Sequence, residues 1–140
     1  EIDRAIEADT NGINTSSYVA QRDTSGHGTL LASISAGSYT DGYVGVAPGA
    51  ELLVVKLKQS KQYLRDFFLI KDDVPAFEES DIMLALRFLE DYAIRLGKPL
   101  IIIFGLGSAN GSRTGASPLA EMMENLTKKP NISVITCMGN

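Results

Sequence analysis

The chain has 140 residues, 44% hydrophobic and 21% charged, with a net charge of −4, a balance that predicts a packed globular core and excludes a fibrous or low-complexity chain. Its 13 Lys and Arg are scattered among 17 Asp and Glu, which argues against nucleic acid or an anionic membrane surface as partner. Cys137 is the only cysteine, so an internal disulfide and a Cys-based zinc cage are excluded.

The first seven residues carry Ile2, Ala5 and Ile6 at helical spacing, as at the end of a helix, and Glu1-Ile2-Asp3-Arg4 has no signal-peptide pattern. Asp9-Thr10-Asn11-Gly12 reads as a turn, followed by a polar loop and a brief extended piece at residues 18–20. The stretch Ser25-Gly26-His27-Gly28-Thr29 then launches a helix expected over residues 29–36. Leu30, Leu31 and Ile34 give that helix apolar bulk. Ala32, Ser33, Ser35 and Ala36 give it a slim face that lets another backbone approach, and Gly37 stops it. Asp41-Gly42 marks a turn between Tyr39 and Tyr43.

Residues 52–57, Leu-Leu-Val-Val-Lys-Leu, predict a strand buried on both faces. Residues 58–79 mix charge, aromatics and a proline without clean periodicity and read as an insertion or long loop, with helical turns around residues 63–70. Ser80 is expected to cap a helix whose apolar face is Ile82, Ala85, Leu86, Leu89, Ala93 and Leu96, ended by Gly97-Lys98-Pro99. The apolar run at residues 100–104 is a second strand, far too short to span a membrane. Ser117-Pro118 supplies an N-cap and a first-turn proline for a helix ending near Lys129-Pro130, and residues 132–137 form a third strand.

Strands alternating with helices predict an α/β fold, a parallel sheet with helices on both faces, within one domain or part of one over residues 1–140. Ligands of such sheets sit beyond the carboxyl ends of the strands. That rule draws Gly105, Leu106, Gly107, Ser108, Gly139 and Asn140 to one edge. A dinucleotide reading of Gly105, Gly107 and Gly111 fails, because the spacing is wrong and no helix starts there. A glycine-bared edge instead suits backbone pairing with an extended peptide.

His27 is the only histidine, and a lone histidine is more often structural than catalytic. Glycines on both sides open the approach to its imidazole. A helix N-terminus disfavours an imidazolium, so a buried carboxylate is expected nearby to offset it.

Taken together, the motifs resemble the subtilisin-like serine proteases. His27-Gly28-Thr29 with Ala32 and Ala36-Gly37 is similar to the family's catalytic-histidine motif, and Gly45-Val46-Ala47-Pro48-Gly49-Ala50 to the segment that follows it. Gly105-Leu106-Gly107 is similar to the substrate-pairing strand, and Gly139-Asn140 to the oxyanion asparagine. The resemblance implies a partial three-layer subtilisin-like fold and a peptide or protein substrate. It also implies His27 as general base and Asn140 as oxyanion donor, and no metal or cofactor is expected. Residues 58–79, the Glu79-Ser80-Asp81-Ile82-Met83 helix start and the Gly-Leu-Gly-Ser loop resemble subtilases of spore-forming clostridia, which implies the precursor of a cortex-degrading enzyme as substrate; localisation is left open, a bacterial cytoplasm or spore being compatible with the sequence.

The sequence also departs from the family pattern. Asp9-Thr10-Asn11-Gly12 has an extra residue and no apolar strand before it, so Asp9 is not taken as the family's aspartate. Ser33 stands where a glycine is common, and no Gly-Thr-Ser nucleophile motif occurs. The expectation is a central fragment of a serine endopeptidase, inactive alone and self-associating through uncovered sheet edges. The alternative is a catalytically dead subtilase acting as a binding or regulatory module.

Overall fold

The computed structural model describes residues 11, 21–107, 112 and 114–137. Its elements in chain order are α1 (His27–Ala36), α2 (Gln62–Phe67), α3 (Glu79–Leu96), β1 (Leu100–Phe104), α4 (Pro118–Thr127) and β2 (Ile132–Thr136). The chain divides into two units, Glu1–Lys56 and Leu57–Asn140. The helix end expected over residues 1–7 and the extended piece at 18–20 lie outside the described residues.

In the second unit β1 and β2 pair in parallel, Leu100 opposite Ile132 and Phe104 opposite Thr136. A parallel pair requires a long crossover, and here it contains α4. Leu86 of α3, Ile102 of β1 and Leu126 of α4 form the buried core. Period 3.6 in the helices and period 2 in β1 bring these residues to a common face. The opposite sheet face carries Ile101, Ile103 and Ile135, all exposed.

Helix ends follow capping chemistry. Ser117 Oγ accepts the Ala120 amide at 3.2 Å, with Pro118 at the first helical position, as expected. Gly97 ends α3 in the left-handed region at φ 62°, and the Lys98 amide closes onto Ala93 O at 3.2 Å, a Schellman-type stop. The start of α3 differs from expectation. Its N-cap is Glu78, not Ser80, so Glu79 and Asp81 fall in the first turn, where the helix dipole favours carboxylates. Glu79 also reaches across to accept the Leu119 amide at 3.0 Å, tying the starts of α3 and α4 together. Lys129, just past α4, pairs with the buried Glu90 of α3.

Residues 58–79 contain the expected helical turns as α2 and close on themselves. The Ser60 amide donates to Ala76 O at 2.8 Å, and the buried Arg65 guanidinium donates to the carbonyls of Lys71 and Val74. The strand expected at residues 52–57 is corrected: among the described residues this run has no strand partner. Leu52 and Val54 are 58% and 71% exposed, so the run is not buried on both faces. Apolar content favours a strand, but only a ladder makes one.

Candidate active site

His27 is the first residue of α1, two positions earlier than the sequence suggests. The reason lies at the helix N-terminus, where the first amides lack intrahelical acceptors. Gly26 is the N-cap and has no side chain to offer; it adopts φ 77°, a left-handed conformation that glycine reaches without penalty. Asp23 does the capping instead. Its Oδ2 accepts the Thr29 amide and the Thr29 hydroxyl, each at 2.8 Å. Its Oδ1 accepts the Gly26 amide at 2.8 Å, the Ser25 amide at 3.0 Å and the Ser25 hydroxyl at 3.2 Å. The His27 amide donates to Ser25 Oγ at 3.3 Å.

Electrostatics follow from this geometry. The Thr29 amide, then its hydroxyl and the Gly26 amide, hold the Asp23 carboxyl well below the usual carboxylate range. A fixed negative charge therefore sits at the N-terminus of α1. Asp23 is exposed and its bonds go to Ser25, Gly26 and Thr29, so it is a capping carboxylate and not the buried one expected to offset an imidazolium.

The far end of α1 is built by the Gly45–Ala50 motif. Amides of Gly45, Val46 and Ala47 donate to the carbonyls of Gly37, Ile34 and Ser35 at 2.9, 2.9 and 2.8 Å, satisfying acceptors at the helix end. A Cβ on Gly45 would lie 2.4 Å from Gly37 N and 2.8 Å from Ser33 O, so only glycine fits. This is the close backbone approach that the slim face allows. Ser33, which stands where the family often has glycine, is exposed, so its side chain does not obstruct the contact. The expected turn returns the chain: Thr40 and Tyr43 exchange backbone bonds at 2.9 Å around Asp41 (φ 48°) and Gly42 (φ 84°), a type I′ pattern.

In the second unit, Gly105, Leu106 and Gly107 leave the carboxyl end of β1, and Cys137 follows β2. Residue 137 is outside the strand, but its amide still donates to Phe104 O at 3.4 Å. A Cβ on Gly107 would lie 3.9 Å from Cys137 Sγ, which places these two residues side by side at the strand ends. Gly105 and Leu106 are half-buried and Gly107 is exposed. Asp9, Ser108, Gly139 and Asn140 lie outside the described residues. His27 belongs to the first unit and residues 105–107 to the second.

Sequence reasoning missed Asp23. Its signal was an aspartate three residues before a glycine N-cap, with Thr29 at the third helical position, the usual target of a capping oxygen. Among the described residues no group of three His, Cys, Asp or Glu side chains could hold a metal ion.

A model of the subtilase family, peptidase S8, matches residues 3–79, more than half of the chain. Among solved structures, the CspB protease of Clostridium perfringens matches with a TM-score of 0.76 and 26% identity, over 91% of this chain and 25% of that one. The chain thus spans a quarter of the length of that protease. No match is found among curated proteins. Carrying the family's histidine motif on α1, held at both ends by backbone and carboxylate contacts, and an α/β structure shared with a clostridial protease, the chain belongs to the subtilase family.

Proposed function

We propose that this chain is the central part of the catalytic domain of a subtilisin-like serine endopeptidase, with His27 as general base. The observation that carries the reading is the anchoring of α1, with Asp23 bonded on both sides of His27 and residues 45–47 bonded to the other end. A general base must be held in place while a proton moves, and a helix fixed at both ends provides that.

In the proposed reaction the His27 imidazole removes the proton of a serine hydroxyl as its oxygen bonds to the scissile carbonyl carbon. The proton then passes to the leaving amine as the C–N bond breaks, and water hydrolyses the resulting ester by the same route. Gly105, Leu106 and Gly107 form the edge that pairs with the extended substrate, and Asn140 donates to the oxyanion. Loss of one such donor in subtilisin, a member of the same family, costs about 100- to 1,000-fold in kcat. The serine and aspartate come from elsewhere in the full-length protein, since the chain has no Gly-Thr-Ser motif, and the 140-residue chain alone is inactive. The similarity to a clostridial protease supports a peptide or protein substrate.

The test is hydrolysis of a fluorogenic peptide library by the full-length protein. His27→Ala is expected to lower kcat/KM by at least about 100-fold. Unchanged hydrolysis by that variant would reject the general-base role.

A further inference from the structure

We propose that Asp23 is a positioning residue of the proteolytic site: one carboxylate binds the chain before His27 with one oxygen and the helix after it with the other, and so fixes where the imidazole leaves the backbone. The inference rests on His27 being the general base.

The geometry is unusual for a helix cap. An ordinary N-cap side chain uses one oxygen to bind one or two amides of the first turn. Here Oδ2 holds Thr29, two residues after His27, through amide and hydroxyl, while Oδ1 holds Ser25 and Gly26, the two residues before it. Ser25 in turn accepts the His27 amide through its hydroxyl. His27 is therefore bracketed by groups that all end on Asp23.

The bracket is needed because Gly26 cannot supply it. Glycine gives the φ 77° that turns the chain into the helix, but it brings no cap and adds flexibility one residue before the base. Fixing Ser25 and Gly26 from one side and Thr29 from the other removes that freedom. Only an ionised carboxylate can do both, because every partner is a donor and both of its oxygens accept. An asparagine presents one oxygen and one NH2 group, so it can hold the amides of only one half of the bracket and can reach the other half only by donating to a hydroxyl.

The consequence for catalysis is in kcat rather than in substrate binding. A base displaced by about an ångström can lose about 100-fold in rate while the peptide still pairs with its edge. The experiment uses the full-length protein, with active sites counted by stoichiometric fluorophosphonate titration so that unfolded molecules do not enter kcat. For Asp23→Ala, kcat per titrated site is expected to fall about 10- to 100-fold with KM changed less than about threefold. Asp23→Asn, nearly isosteric and less exposed to folding losses, is expected to recover part of that rate. Wild-type kcat per titrated site in both variants would overturn the positioning role and leave the general-base reading intact. Full activity of His27→Ala in the same assay would instead overturn the general-base reading, and the positioning role with it.

Discussion

Asp23 and Thr29 are joined twice through a single carboxylate oxygen, Oδ2 accepting both the amide and the hydroxyl of Thr29 at 2.8 Å. This contact closes the first turn of α1 around His27. It has a consequence for stability as well as for catalysis, because the Asp23 carboxyl is held well below its usual range in the folded chain. A carboxyl with a depressed folded pKa contributes stability that is fully present above its unfolded pKa, about 4, and declines as pH falls below that and through the folded value. Asp23→Asn should therefore be less stable than the parent chain near pH 6, and the gap should narrow steadily below about pH 4. Urea melts across that range measure it; a gap that widens in acid would contradict the linkage.

Gly45 is the tightest backbone contact at the other end of α1. A Cβ there would meet backbone atoms at 2.4 to 2.9 Å, none of which belongs to a flexible side chain. Gly45→Ala is expected to cost about 1–3 kcal/mol, as overpacking does, and to speed hydrogen exchange of the amides at residues 45–47. Unchanged stability with unchanged exchange would show that the helix end can shift freely.

Leu126 is 2% exposed and sits with Leu86 and Ile102 at the centre of the second unit. Leu126→Ala should destabilise the chain by about 2–5 kcal/mol through lost transfer energy and a residual cavity. Thermal or urea melts of the variant test this, and a loss below about 1 kcal/mol would mean that α4 collapses onto the sheet.

The sheet offers a further test. Among the described residues its two strands are both edges, and Ile101, Ile103 and Ile135 are 62%, 42% and 53% exposed on one face. We expect the 140-residue chain to self-associate through this surface. Light scattering of Ile101→Lys/Ile103→Lys should show more monomer than the parent chain, whereas a parent chain that stays monomeric at high concentration would contradict the expectation.

Several of these elements are legible in the sequence. The 3.6-residue spacing of Ile82, Leu86, Leu89 and Ala93 announces α3, and Ser117-Pro118 announces the start of α4, because periodicity and first-turn chemistry are local. The apolar runs locate β1 and β2 with ends correct to a residue. Residues 52–57 look equally good and have no partner among the described residues, since a strand is a property of a pair. Asp23 is faint for a different reason. In Arg22-Asp23-Thr24-Ser25 it looks like any polar loop residue, and only its spacing to Gly26 and Thr29 hints at the capping that the fold makes explicit by turning its carboxylate back onto Thr29. The glycines split likewise: Gly26 is required by its φ, Gly45 by a close backbone contact, and composition alone distinguishes neither.

If His27 is the general base of a serine endopeptidase whose nucleophile lies outside these 140 residues, the rate of fluorophosphonate labelling must depend on it. Three proteins decide the matter: the full-length protein, its His27→Ala variant and the 140-residue chain. Rapid labelling is expected of the first, labelling at least about 100-fold slower of the second, and none of the third. Equal labelling of the first two, or labelling of the 140-residue chain that His27→Ala abolishes, would contradict the assignment.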